Sequence, residues 1–304
     1  MDLTARISLA GPGGTDPEDF FSAALGVIFP DDIANCHGDS NHPNLVYKSS
    51  HLPNAIRLVL PELAGQEAQA LFSHYLWNAS LLLAELIEAG SLGTQIQWNS
   101  QIAPPVAEFD ISGLSTIELG AGTGLPSIMS GLLGARRVVV TDYPAPPVIN
   151  TLKLNANASL KAESAPSGRF AVEEVVVEGH TWGELDTTFA VQNKHKFDRV
   201  FAADCLWIVG QHEQLRQSIA WFLAEGESAR AWLIAGFHTP RGEANLFFRS
   251  EMLAEVGLEV EHLWERECSG EDREWVWDRG VGNTAVQKRW SAVGVLRRIR
   301  GHPV

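Results

Sequence analysis

The stretch Ile117–Pro126 reads IELGAGTGLP, with three glycines at alternate positions, Gly120, Gly122 and Gly124, and an acid, Glu118, just ahead of them. Glycines grouped in this way let a backbone take positive φ and approach a ligand closely. The pattern is GxGxG, and no Lys-Ser or Lys-Thr pair follows it. A phosphate-cradling Walker loop is therefore excluded, and the spacing is a poor match to the GxGxxG of a dinucleotide site. Asp142 ends the run VVVTD, twenty-four residues after Glu118. A carboxylate at that place can take both hydroxyls of a ribose. The plainer alternative is a tight strand–helix turn with a capping acid.

These residues need a scaffold, and the flanking sequence describes one. STIEL reads as a buried strand, and LPSIMSGLLG as a helix ending at Gly134. RRVVVTD is a strand and PPVINTLKLNANA a helix opened by prolines. FAVEEVVVE, FDRVFAAD and ARAWLIAGF are further strands, with HEQLRQSIAWFL and GEANLFFRSEMLAEVG as helices. LEVEHLWE and VQKRWSAVGVLRRI read as late strands, closing as an antiparallel pair. Strand–helix alternation with Val/Ile-rich strands predicts an α/β fold with a mostly parallel, doubly wound sheet. Ligands of such sheets sit at the carboxyl ends of the strands, where the glycine turn lies.

Upstream, residues 45–60 predict a hairpin turning at Leu52–Asn54, and apolar spacing predicts a helix over residues 66–89. Residues 1–44 read as an irregular extension with one short helix near Phe20–Ile28. The domain proper is expected over residues 45–304. His37 and His42 beside Cys36 read as loop residues, and no metal site is expected.

The chain has 304 residues, 45% apolar and 20% charged, an ordinary composition for a soluble globular protein. The formal net charge of −14 disfavours nucleic acid and anionic membrane as partners. It favours a basic peptide or a cationic small molecule, unless it serves solubility alone. Cys36, Cys205 and Cys268 are far apart and odd in number, which fits a reducing compartment. The first residues lack the apolar core of a signal peptide, and no apolar run reaches membrane-spanning length. A cytoplasmic or nuclear location is expected.

HYLWNAS, IELGAGTGLPS, VVVTDYP, TWG at Thr181–Gly183 and AADCLW occur in that order. Together they resemble methyltransferase family 16, the lysine-type protein methyltransferases, over roughly residues 45–300. The wording is most similar to fungal members described as nicotinamide N-methyltransferase-like, some of which methylate the N-terminal region of translation elongation factor 1-alpha. The resemblance implies a seven-strand Rossmann-like methyltransferase fold and S-adenosylmethionine as cofactor. It implies Trp77 over the methionine part, with Glu118, Gly120, Ala121 and Gly122 lining the turn. It also implies Asp142 on the ribose, Tyr143 beside the adenosine, Trp182 along the adenine, and Ala203 near the methyl group. An aromatic face attracts a sulfonium, and a flat ring offers area to an adenine. Both tryptophans could instead be core residues, a reading the surrounding motifs count against.

On the acceptor side the candidates are Asp204 and Trp207 in ADCLW, and His238 in AGFHTPRG. An aromatic pocket lowers the pKa of a lysine, and a histidine can receive its proton. His238 could instead make a structural hydrogen bond. The segment DCLWIVGQHEQL departs from the protein-methylating members, and residues 266–287, with Trp275 and Trp277, read as extra material. Three functions follow as expectations: an N-methyltransferase of a protein lysine or N-terminal amine, a small-molecule methyltransferase, or a non-catalytic binder.

Overall fold

The computed structural model describes residues 3–10, 35–38, 43–62, 75–237, 241–280 and 284–301. The expected helix at residues 20–28, and positions His42 and His238, lie outside them.

Ahead of the main sheet come β1 (Ile7–Leu9), β2 (Cys36–His37), β3 (Asn44–Tyr47), β4 (Ile56–Val59) and β5 (Leu76–Trp77), then helix α1 (Asn78–Leu92). β3 and β4 form the expected hairpin, and β1 adds to its edge. β2 pairs with β5. Among the described residues of the first 44, two strands, β1 and β2, stand where an irregular extension was expected. The reason is an anchor. Arg6 reaches Glu85 at 3.1 Å and Glu88 at 2.6 Å on α1, and a buried acid pair requires a cation. Leu3 is buried and donates its N–H to the Cys268 carbonyl at 3.0 Å. The helix expected from residue 66 opens at Asn78, because Leu76 and Trp77 are extended; residues 63–74 lie outside the described set.

The main sheet holds β6 (Ser115–Leu119), β7 (Arg137–Asp142), β8 (Glu174–Gly179), β9 (Arg199–Ala203), β10 (Arg230–Gly236), β11 (Leu258–Glu267), β12 (Asp272–Glu274) and β13 (Trp290–Arg298). Their order is β12-β11-β13-β10-β9-β6-β7-β8. The strands from β10 to β8 in that order are parallel, and β13 lies antiparallel between β10 and β11. This is the expected seven-strand arrangement, extended by the short edge strand β12. Every residue of β6 is buried, as a central strand with both faces covered requires.

Helices α2 (Leu125–Leu132), α3 (Pro146–Ser159), α4 (Thr188–Asn193) and α5 (His212–Phe222) connect the parallel strands. The single helix expected over residues 242–257 is two, α6 (Arg241–Phe247) and α7 (Ser250–Ala254), because Arg249 is extended at ψ 131°. The strand expected to begin at Val286 begins at Trp290, after α8 (Thr284–Lys288). Among the described residues, no helix is long and apolar enough to cross a membrane.

The charged stretch around β12 is an ion-pair lattice on the sheet edge. Arg266 grips both oxygens of Asp272 at 2.8 and 2.9 Å, and Glu265, fully buried, takes Arg273 and Arg279. Trp275 packs on Phe237 and Phe248, and Trp277 packs on Trp275.

Candidate functional site

A cleft of roughly 300 Å³ opens at the carboxyl ends of β6, β7 and β9. Trp77, Gly120, Ala121, Gly122, Asp142, Tyr143, Trp182, Ala203, Asp204 and Trp207 all line it. The strand ends bring these residues together from five separate stretches of sequence. Tyr75, His180 and Gln211 also line it and were missed. Tyr75 lies within the motif HYLW and His180 directly precedes TWG, which was the available signal.

The glycine turn is shaped by contacts as well as by φ. Gly120 and Gly122 sit at φ 69° and 55°, where a side chain is strained. A Cβ on Gly120 would lie 2.8 Å from Cys205 Sγ and 3.1 Å from the Trp182 ring. A Cβ on Gly122 would meet nothing within 4 Å, so this glycine keeps the cleft side of the turn bare. The turn is pinned by the Ala121 N–H to the Thr141 carbonyl at 3.0 Å and the Gly122 N–H to Asp142 Oδ2 at 2.7 Å.

Glu118 is not on the cleft wall. It is 1% exposed, beneath the turn, and its Oε2 accepts from the Ser127 N–H at 3.1 Å and the Ser127 hydroxyl at 2.5 Å. It fastens β6 to the first turn of α2, where a carboxylate suits the helix dipole. Its Oε1 is buried without a hydrogen-bond partner. Burial pushes its pKa up to about 8, against the opposing pull of Ser127, and nearby Asp142 adds to the rise.

A folded-state pKa raised above the usual carboxylate value means stability fully present below about 4.5 and lost as pH rises towards about 8. Glu118→Gln is therefore expected to melt near wild type at pH 5 and above it at pH 8.5, measured by calorimetric melts. Parallel pH profiles for the two proteins would refute the burial argument.

Asp142 is 7% exposed. One oxygen holds Gly122, and the other accepts the Tyr143 N–H at 2.7 Å. Each oxygen retains a lone pair for a donor in the cleft. Burial raises its pKa to about 6, while the Gly122 and Tyr143 N–H groups oppose the rise. His180 is buried and neutral, its pKa lowered to about 4 by desolvation. Its Nε2 lies 3.1 Å from the Ser218 hydroxyl, which also accepts the Gly183 N–H at 2.9 Å. This contact orders the Thr181–Gly183 loop that carries Trp182.

Asp204 follows β9 at φ 62°, an unusual conformation for a residue with a side chain. Its N–H donates to the Ile234 carbonyl at 2.7 Å, and its Oδ1 accepts the Gly236 N–H at 3.2 Å. Tyr75 and Trp77 meet edge to face at 5.8 Å. Cys205 is buried and donates its thiol hydrogen to the Leu119 carbonyl at 3.3 Å. Burial pushes that thiol far up, so it is no nucleophile. Trp275 and Trp277, of the extra segment, are not part of the cleft lining. Among the described residues, one trio of metal-ligating type, Glu108, Glu261 and His262, lies outside the cleft lining, and Arg230 and Arg297 already engage Glu261.

A family model described as lysine methyltransferase matches residues 62–251, more than half of the chain. The chain belongs to the lysine methyltransferase family. Two curated relatives carry the name protein N-terminal and lysine N-methyltransferase EFM7. The one from Candida glabrata is 29% identical, covering 70% of this chain and 78% of its own. The one from Gibberella zeae is 27% identical, covering 72% and 80%. A solved structure of magnesium protoporphyrin IX methyltransferase from Synechocystis, with bound SAM, covers 72% of this chain and 79% of its own at 14% identity and a TM-score of 0.41.

This member of the family is an S-adenosylmethionine-dependent methyltransferase, and the cleft suits that cofactor on its own chemistry. It offers a bare glycine turn, a buried carboxylate with spare lone pairs and the indole rings of Trp77 and Trp182, matching a nucleoside joined to a cationic amino acid.

Proposed function

We propose that this enzyme methylates amines on a protein, a lysine side chain or an N-terminal amine. The observation that carries the reading is that Asp204 shares the cleft with Trp207, Tyr75 and Trp77. A carboxylate among aromatic rings suits a cationic amine. The names of the fungal relatives support the same acceptor class, and the net charge of −14 would steer a basic tail towards the protein.

Within this reading Trp77, Gly120, Ala121, Gly122, Asp142, Tyr143, Trp182 and Ala203 hold the cofactor, and Asp204 and Trp207 face the acceptor. Bound there, S-adenosylmethionine supplies a methyl group already activated for displacement. The protein's task is alignment, which contributes roughly 7–11 kcal/mol at best. A second task is deprotonation. A free lysine has a pKa of about 10.4 and an N-terminal amine about 7.7–8.0. Exclusion of water by the aromatic lining lowers both, while the Asp204 carboxylate opposes the shift. An N-terminal amine needs the smaller shift, so it is the easier acceptor for this cleft.

The test is methyl transfer from labelled S-adenosylmethionine into basic peptides with free or acetylated N-termini, set against nicotinamide and small amines. Peptide products, located by mass spectrometry, are expected. Turnover of the small amines alone would replace this reading with a small-molecule one.

A further inference from the structure

Trp77 is the N-cap residue of α1, with extended backbone at φ −90° and ψ 150° and no side-chain cap. A residue at that position lacks the full hydrogen bonding of the helix, so its ring needs another support. The support comes from a segment forty residues earlier. Cys36 pairs with Trp77 and His37 with Leu76. The Asn78 N–H, one of the helix's orphan donors, reaches the Asn35 carbonyl at 2.9 Å. His37 Nε2 lies 2.7 Å from Asn78 Oδ1, and Asn78 is 6% exposed. A carboxamide oxygen only accepts, so the imidazole Nε2 donates. Burial lowers the His37 pKa and keeps the ring neutral, with Asn78 opposing the shift. Trp77 is thereby bracketed, with a backbone ladder on one side and a buried side-chain bond at the next residue. The Cys36–His37 side of the bracket lies outside residues 62–251, the part that matches the family model.

We propose that the Cys36–His37 strand is a positioning clamp for Trp77, locked by His37 on Asn78, so that a segment outside the family core sets cofactor affinity. The inference rests on the reading of the cleft as the cofactor site with Trp77 in its wall. His37 acts through Trp77 and is a positioning residue, not a catalytic one.

The test is a double-mutant cycle on the full chain, with calorimetric titration of S-adenosylhomocysteine into wild type, His37→Ala, Trp77→Ala and the double variant. His37→Ala is expected to weaken binding about fivefold, the worth of one buried hydrogen bond. In the Trp77→Ala background the same change is expected to do almost nothing. His37→Gln, whose amide can still donate to Asn78, is expected to recover most of the loss. If His37→Ala does not fold, His37→Phe keeps the ring and removes only the donor. Undiminished affinity in the His37 variants, or an equal loss with and without Trp77, overturns the clamp. Wild-type affinity in Trp77→Ala overturns both the clamp and the role of Trp77, whereas failure of the wild type to bind overturns the cofactor reading itself.

Discussion

Asp142→Ala is expected to weaken S-adenosylhomocysteine binding about 100-fold, which is roughly 2.7 kcal/mol. The carboxylate has two oxygens, each committed to one backbone N–H and each with a lone pair to spare. Two ligand hydroxyls donating to an ionised acceptor are worth roughly 1.5 kcal/mol apiece at the lower end of the range for charged partners. Alanine removes both and also frees the Gly122 N–H that the acid pins. Asp142→Asn keeps one acceptor and loses the charge, so a loss of about tenfold is expected. The pH dependence separates the two effects. Burial sets the ligand-free pKa at about 6, so part of the wild type loses its acceptor charge below that pH. Wild-type affinity should fall as pH drops from 7 to 5, and the asparagine variant should show a flat profile. Calorimetric titration across that range gives both answers. Unchanged affinity in Asp142→Ala would remove Asp142 from the cofactor site.

The parts of the cleft that were legible in sequence share a physical cause. A glycine turn must follow a strand, and an acid that reaches the same cleft must end the next one, so spacing along the chain reports spacing in the sheet. Trp182 and Asp204 follow the same rule at the ends of later strands. Glu118 shows where the rule stops. Strand alternation gives a residue's face, but not what covers that face. Here Ser127 covers it, so the acid is a fastener under the turn and not part of the wall. The β2–β5 ladder was illegible because two residues paired across forty carry no periodicity. The same holds for His180, whose partner Ser218 lies on a helix 38 residues later. Net charge was also an incomplete guide. Glu85, Glu88 and Glu265 are buried against arginines and have no bearing on steering a partner.

Asp204→Asn is expected to lower kcat for a basic peptide about 100-fold while leaving S-adenosylhomocysteine affinity within about threefold. The argument begins with the backbone. A side chain held at φ 62° is disfavoured by roughly 1–2 kcal/mol, and such strain gathers at functional sites. The bonds to Ile234 and Gly236 hold the carboxylate at the cleft in spite of it. In the proposed reaction the charge has a definite use. An attacking amine nitrogen is neutral, and it becomes cationic as its new bond to carbon forms. A fixed carboxylate beside it is worth more in the transition state than before it, which is the condition for raising kcat. Asparagine tolerates positive φ as well as aspartate does, so the variant is expected to fold and to keep its melting temperature. Single-turnover methyl transfer, paired with calorimetric binding, separates the possibilities. A matching loss of cofactor affinity would move Asp204 to the cofactor side. A raised KM at constant kcat would mean that its charge only recruits the ammonium. Unchanged kinetics would mean that the strained aspartate is held for the two strand ends it ties together, and that the nitrogen's new charge is met by the aromatic faces alone.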